Sequence, residues 1–219
     1  MADDIKIHFS EDEDLEKAKA WWKSNGSSIV WGIAIGLTAV VGFNFWQKYT
    51  QGKAEGASAL FNQVLQQDAS GGDETLPQLA QEVMDDYRST PYAAKAALIQ
   101  AKAKLEAGDQ SGAEEALRWA LDKSGDPATR HAARLRLAAL QLDGGKTDEA
   151  LKLLSVKDQG GFGSHYAELE GDAHLARGDR AQAGQAYQRA LETLTPGSPY
   201  GRILQHKLDN VGAAETGAQ

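Results

Sequence analysis

The stretch SNGSSIVWGIAIGLTAVVGFNFWQ, residues 24–47, carries no charged side chain. Its core, residues 29–46, has only Thr38 and Asn44 as plainly polar side chains. An α-helix rises about 1.5 Å per residue, so this core spans roughly 27 Å, close to the hydrocarbon thickness of a bilayer. Aromatic rings that favour the headgroup region lie near its ends: Trp31, Trp46 and Tyr49. The sequence therefore predicts a single transmembrane helix, which we place at residues 28–47.

Three alternatives to a membrane span have to be weighed. A cleaved signal peptide has basic residues before a short apolar run and a small-x-small cleavage site after it. Here the preceding segment is long and acidic, and the nearest such triplet, Ala57-Ser58-Ala59, lies well beyond the run. A buried helix of a soluble core is the second alternative, although such helices rarely lack charges over this length. A lipid anchor would need a cysteine or an N-terminal glycine signal, and the sequence has neither.

The charge balance argues against a nucleic-acid partner. The chain has 23 Lys and Arg residues against 31 Asp and Glu residues, a net charge of −8. Because phosphate backbones are bound by basic patches, so acidic a chain is a poor candidate for binding them. The lack of cysteine excludes disulfides, thiol catalysis and cysteine-based zinc sites.

The segment before the span, residues 1–27, is predicted to be an acidic cytoplasmic leader with a short amphipathic helix. Ser10 and Glu13 have the spacing of a capping box, which predicts that this helix begins near Ser10, and Asn25-Gly26 predicts its end. Three lysines flank the span on its N-terminal side and two on its C-terminal side: Lys17, Lys19 and Lys23, then Lys48 and Lys53. Because basic residues favour the cytoplasmic side, we expect a cytoplasmic N-terminus and a translocated C-terminal domain.

Small residues four apart form one face of the span. Ser28, Gly32 and Gly36 follow the small-xxx-small pattern, which allows a second helix backbone to approach closely. We expect a helix contact on this face; the alternative is that glycine is simply common in transmembrane helices. The helical pattern continues beyond the span and predicts a helical stalk over residues 48–72.

An internal repeat follows the stalk. Glycines and alanines recur at intervals of 37 and 33 residues: Gly108, Gly145 and Gly178, and Ala113, Ala150 and Ala183. A period near 34 residues with two helices per unit is typical of tetratricopeptide repeats. We therefore predict an all-α protein in which the transmembrane helix precedes a tetratricopeptide-like α-solenoid at residues 73–211. A capping helix over Tyr200–Val211 would cover the last repeat, and residues 212–219 would form a disordered tail.

The functional residues point to binding and not to catalysis. None of the five histidines has another histidine four residues away, and no phosphate-binding glycine loop is present. We predict no catalytic residue, metal or cofactor. Repeat domains bind partners mainly through their first helices, and the repeat register places these candidates there: Lys95, Leu98, Lys102, Leu105, Ala132, Leu135, Ala139, Leu142, His165, Glu168, Asp172 and Leu175. For any one of them, an ordinary core or surface position is the alternative.

Four segments carry a resemblance to a known family. They are DLEKAKAWWKSNG (14–26), GDQSGAEEALRWAL (108–121), RLRLAALQLDGGKTDEALKLL (134–154) and ELEGDAHLARGD (168–179). With the order of acidic leader, glycine-rich anchor and degenerate repeats, the chain resembles the YfgM-like ancillary subunit of the bacterial SecYEG translocon. The resemblance covers nearly the whole sequence.

This resemblance implies a location and partners. The protein would be a single-pass protein of the bacterial inner membrane with its repeats in the periplasm. It would associate with the SecYEG translocon and with a membrane-anchored periplasmic chaperone of the PpiD type, and it would help exported client proteins reach periplasmic folding factors. The family brings no catalytic residues and no cofactor. The alternative is a membrane-tethered repeat adaptor for another envelope assembly or a cell-division complex.

Overall fold

The computed structural model describes residues 10–72 and 74–216. These residues form α-helices and one short 3-10 turn at Gly160–Phe162, and none of them lies in a strand. The helices are α1 Ser10–Ala69, α2 Leu76–Asp86, α3 Pro91–Glu106, α4 Gln110–Lys123, α5 Pro127–Asp143, α6 Thr147–Leu154, α7 Gly163–Ala176, α8 Arg180–Thr193 and α9 Gly201–Thr216. The predicted all-α class is confirmed. The chain divides into two compact units, the first ending at Gly52 and the second beginning at Lys53.

Helix α1 begins at Ser10, where the capping-box spacing predicted a start. The predicted helix end at Asn25-Gly26 is wrong, because α1 continues through both residues. The Asn25 side-chain amide donates to the Trp21 carbonyl at 3.1 Å, so it bonds within the helix instead of opening a turn. Residues 1–9 of the predicted leader lie outside the described residues.

The apolar part of α1 is not covered by any described part of the chain. Trp31 and Phe45 are 68% and 75% exposed, and the apolar window contains no buried residue. The Thr38 hydroxyl donates to the Ala34 carbonyl at 2.8 Å, so its polar group is satisfied inside the helix. In the lipid interior each polar group needs such an internal partner. Among the described residues, α1 is the one helix long and apolar enough to cross a membrane.

The end of α1 belongs to the second compact unit. Ala57, Phe61 and Val64 are buried, and the last two join a core cluster with Leu76 at the start of α2. The ring of Phe61 also lies 5.5 Å from that of Tyr92 on α3. The residues after Lys53 in the predicted stalk 48–72 are therefore helical to Ala69 and contribute to the core of the second unit.

Three helix pairs form the repeats: α3 with α4, α5 with α6, and α7 with α8. The glycines identified by their spacing lie at the three turns, with positive φ angles of 79° at Gly108, 73° at Gly145 and 80° at Gly178. This left-handed conformation strains any residue with a Cβ, which is why glycine recurs there. In the first and third repeats an aspartate follows the glycine and caps the next helix, Asp109 accepting from Gly112 and Asp179 from Gln182.

Small residues allow the two helices of a repeat to pack closely. Ala101 and Ala138 are buried in the first helices of the first two repeats, and Gly171 occupies the equivalent place in α7. A Cβ at Gly171 would lie only 2.4 Å from a ring carbon of the buried Tyr187 on α8. The large Tyr187 side chain on α8 therefore requires a glycine at position 171 on α7.

Helix α9 covers the last repeat, as the prediction of a capping helix expects. Leu204 packs with Ala167 and Ala190 of the third repeat, and Val211 packs with Ala183 and Tyr187. Helix α9 extends to Thr216, so residues 212–216 of the predicted disordered tail are helical. Residues 217–219 lie outside the described residues.

Candidate partner-binding surfaces

A groove lies between the first helices of the first two repeats. It encloses about 510 Å³ between α3 and α5, and the candidates Leu98, Lys102, Leu105 and Ala139 all line it. Leu105 is 40% exposed there. Four of the eight candidates on α3 and α5 thus lie together in the groove, and the groove is an open surface to which a partner has access.

An ion pair lies at the edge of this groove. Lys102 Nζ lies 2.8 Å from Asp68 Oδ1 of α1 and 3.9 Å from Glu106 Oε1. The hydrogen bond to Asp68 and the charge of that carboxylate raise the pKa of Lys102 above its usual value. Lys102 is therefore a charged residue that already has an acidic neighbour from outside the repeats.

Two other candidates contribute to the hydrophobic core of the second repeat. Leu135 is 9% exposed and belongs to a core cluster with Ala138, Ala150, Leu154 and Tyr166. Leu142 packs against the same cluster. Both leucines stabilise the second repeat; Leu135 is buried and Leu142 is only partly exposed. The remaining candidates on first helices lie at exposed or half-buried surface positions outside the groove: Lys95, Ala132 and Leu175.

The candidates Glu168 and Asp172 on α7 face the capping helix. Lys207 Nζ of α9 lies 2.8 Å from Glu168 Oε1 and 2.7 Å from Asp172 Oδ2. The Tyr187 hydroxyl donates to Asp172 at 2.8 Å, and the Tyr200 hydroxyl donates to Glu168. These five residues, which we call the cap network, join α7, α8 and α9. Helix α9 therefore occupies the part of α7 around Glu168 and Asp172 that the repeat register assigned to a partner.

Burial and charge shift the titration of the cap network. Burial alone would lower the pKa of Lys207, but its hydrogen bonds to Asp172 and Glu168 and their charges raise the pKa above its usual value. Burial raises the pKa of the Tyr187 and Tyr200 hydroxyls above their usual range, and the hydrogen bonds to the two carboxylates add to this rise. At neutral pH the lysine is therefore charged and both tyrosines are neutral donors.

His165, the candidate next to this network, contacts aromatic rings. Its imidazole stacks on the Tyr200 ring at 5.5 Å and lies 6.4 Å from the ring of Phe162. Phe162 in turn stacks on His131 at 5.3 Å. His165 therefore packs on neighbouring rings while its side chain stays exposed to solvent. Among the described residues, no group of three or more His, Asp or Glu side chains could hold a metal ion.

The small-residue face of α1 is accessible. Ser28, Gly32 and Gly36 are all exposed, and no heavy atom lies within 4 Å of a Cβ built at either glycine. The helix therefore presents a smooth strip at these positions. Whether another helix contacts this strip remains a prediction.

Several lining residues were not among the candidates. The groove also includes Arg136, Leu140 and Asp143 of α5, which lie at i, i+4 and i+7 and share one helix face. Arg136 stands 37 residues after Ile99, the spacing of the first two repeats, so the register could have identified both. Asp68 of α1 and Lys207 of α9 could not have been found this way, because they lie outside the repeats.

Comparison with known proteins agrees with these features. Residues 19–213 match the family model described as a tetratricopeptide repeat-like domain. A protein of Aggregatibacter actinomycetemcomitans is 35% identical over 205 residues, which cover 92% of this chain and 97% of the relative. Proteins of Haemophilus influenzae and Escherichia coli are 31% and 25% identical, over 84% and 94% of this chain and 89% and 99% of their own lengths. All three relatives are named ancillary SecYEG translocon subunit.

The matches extend from the apolar helix through all three repeats to the capping helix, and they agree with the resemblance seen in the sequence. The chain therefore belongs to the family of ancillary SecYEG translocon subunits.

Proposed function

We propose that this chain is a non-enzymatic membrane adaptor of the SecYEG translocon that helps to pass newly exported proteins to periplasmic chaperones. The observation that carries the proposal is the apolar part of α1, which no described residue covers, in a chain that matches ancillary translocon subunits over most of its length. An apolar helix with no protein cover needs a lipid environment or a partner helix.

The proposal places α1 in the inner membrane, with the leader in the cytoplasm and the repeat domain in the periplasm. The excess of lysines on the N-terminal side of the span supports this orientation. Protease added to spheroplasts should then digest the repeat domain and leave a short protected fragment that contains the span. A fully protected chain contradicts the orientation.

The repeat domain supplies the protein contacts in this proposal. The groove between α3 and α5 offers the exposed Leu105 and half-buried apolar side chains for a PpiD-type chaperone or for exported client proteins. Glu168 and Asp172, engaged by α9, would not take part while the cap is in place. No cofactor is needed for such a role.

Co-purification tests the association with the translocon. The full chain, expressed at its native level and extracted in mild detergent, should retain SecYEG subunits. If the small-residue face is the contact, Gly32→Leu with Gly36→Leu should reduce the retained amount several-fold, because two bulky side chains prevent close helix approach. Gly42→Leu is the matched control, since Gly42 is equally open but lies on another face of α1. Purification without any translocon subunit contradicts the proposal.

Photo-crosslinking identifies the partners directly. A crosslinking amino acid at Ser28 should capture a translocon subunit, and one at Leu105 should capture a periplasmic chaperone or an exported protein. Capture of cell-division or wall-synthesis proteins at both positions would instead support the adaptor role in another envelope assembly.

A further inference from the structure

The groove between α3 and α5 has an apolar centre. Leu98 and Leu105 of α3 lie on one side, and Leu140 of α5 lies on the other. Leu117 of α4 is buried beneath them at 1% exposure. The groove of about 510 Å³ is large enough for a few side chains and too small for a folded domain. A short segment of polypeptide therefore fits its size.

The two ends of the groove differ in charge. On α5, Arg136 lies at one end and Asp143 at the other, with Leu140 between them. Seven helical residues separate the two charges by about 10 Å. Neither Arg136 nor Asp143 forms an ion pair with any residue that the structure describes. The lining thus runs from basic through apolar to acidic along α5.

The acidic end of the groove carries more charged groups than the basic end. Glu106 is the last residue of α3 and Asp143 is the last residue of α5, so both carboxylates stand where the helix dipole is negative. Lys102 offsets this only in part, because it lies closer to Asp68 than to Glu106. A cation at this end would meet two carboxylates and two helix C-termini, whereas an anion at the other end would meet only Arg136.

We propose that this groove binds a short segment of a partner polypeptide in which apolar side chains adjoin a basic side chain. The apolar side chains pack on Leu98, Leu105 and Leu140, and the basic group lies between Glu106 and Asp143. The inference rests on the proposed function only in that the repeat domain binds proteins. It adds the chemical class of the segment and the direction in which the segment lies.

Two synthetic peptides test the preference. They share the sequence Ser-Leu-Ala-Leu-Ser-X-Ser with blocked ends and a fluorescent label, where X is Arg in one and Glu in the other. The full chain is held in nanodiscs of zwitterionic lipid, with empty nanodiscs as the blank, and binding is followed by fluorescence anisotropy. We expect the Arg peptide to bind more tightly. Tighter binding of the Glu peptide, or no binding of either peptide, overturns the proposal.

Charge reversal locates the effect in the groove. Glu106→Lys with Asp143→Lys should weaken the Arg peptide about tenfold and strengthen the Glu peptide, because each exposed ion pair contributes a factor of roughly two to five. Glu115→Lys with Asp122→Lys makes the same change in net charge on exposed residues of α4, and it should alter binding less than twofold. Equal effects of the two pairs overturn the proposal, since they would report only bulk charge.

Two further variants keep the test decisive. If the lysine pair is misfolded by circular dichroism, Glu106→Gln with Asp143→Asn replaces it and should remove the preference for Arg over Glu. Leu105→Ser should weaken both peptides alike, because it removes apolar contact without changing charge. If the peptide preference is absent while SecYEG still co-purifies, the groove proposal is overturned and the proposed function stands. If SecYEG does not co-purify, the proposed function itself is contradicted.

Discussion

Helix α9 is held on the third repeat by the cap network, and Lys207→Met tests that network. Methionine keeps most of the volume of the aliphatic stem and removes the ammonium group. The substitution leaves Glu168 and Asp172 with one tyrosine hydroxyl each. We expect α9 to open more often while the first two repeats stay intact.

The magnitude follows from the burial of the two carboxylates. The Glu168 side chain is 9% exposed and the Asp172 side chain is 30% exposed. Removing one partner of a buried ion pair costs about 3–5 kcal/mol, and a hydrogen bond to a charged group contributes about 1.5–3 kcal/mol. Because water can reach Asp172, we expect the lower range, about 2–3 kcal/mol, for the local opening of α9. That corresponds to a roughly 30- to 150-fold larger equilibrium constant for the opening of α9.

Hydrogen exchange of the full chain in detergent measures this opening. Amides of α9 should exchange faster by that factor in Lys207→Met, and amides of α3 should not change. Lys152→Met is the matched control, because Lys152 is an exposed lysine of α6. Glu168→Gln with Asp172→Asn, added to Lys207→Met, should recover most of the protection, since no buried charge is then left without a partner.

The contribution of Lys207 to the stability of α9 should depend on pH. The pKa of Lys207 is raised in the folded protein above its ordinary value of 10.5, so its contribution is fully present below that pH. The contribution is lost as the pH rises through the folded-state pKa. The difference between wild type and Lys207→Met should therefore be constant from pH 7 to 9 and shrink above about pH 10.5. Equal exchange of α9 in the two proteins at pH 7 would refute this account of the cap.

Two other predictions concern the repeats. Gly171→Ala should lower the free energy of unfolding by about 1–3 kcal/mol in urea titration, because the new Cβ meets the Tyr187 ring at 2.4 Å. Gly184→Ala, whose Cβ has no neighbour closer than 3.8 Å, should not destabilise the protein, and equal losses for both would contradict the packing argument. The hydrogen bond from the Gly112 backbone amide holds the pKa of the Asp109 carboxyl below its usual value, and hydrogen bonds from the Thr129 hydroxyl and backbone amide do so for Asp126. These caps contribute fully to stability above about pH 4, and the contribution is lost as the pH falls through the folded-state pKa. The urea concentration at the unfolding midpoint should therefore decrease when the pH is lowered below about 4. Asp109→Asn with Asp126→Asn should flatten that drop, since asparagine caps a helix without titrating; an unchanged drop would assign the acid sensitivity to other groups.

The repeat architecture could be predicted from the sequence because the structural requirements that produce it act within one repeat. A turn between antiparallel helices needs a positive φ angle, so glycine returns at Gly108, Gly145 and Gly178. Close packing of a helix pair needs a small residue, so the equivalent positions hold Ala101, Ala138 and Gly171. Each requirement acts within one repeat and leaves a residue type at a fixed spacing.

The candidate binding surface could be predicted from the sequence only in part. The register identified Leu98, Lys102 and Leu105, because neighbouring first helices present equivalent faces to the groove. It did not identify Asp68, which reaches Lys102 from α1, since that residue lies outside the repeat period. It also could not show that Glu168 faces Lys207, because contacts between α7 and α9 depend on how the cap packs.

By itself, then, the sequence determined the apolar helix, the helical repeats, the turn positions and the family. The helix, the repeats and the turns follow from composition or spacing along the chain, whereas the family came from the resemblance of four segments to known sequences. Only the tertiary structure decided which first-helix residues are open to a partner. The cap covers Glu168 and Asp172, whereas α3 and α5 leave a groove at Leu105. The physical reason is that exposure depends on side chains distant in sequence, and no local period records which helix will cover a given face.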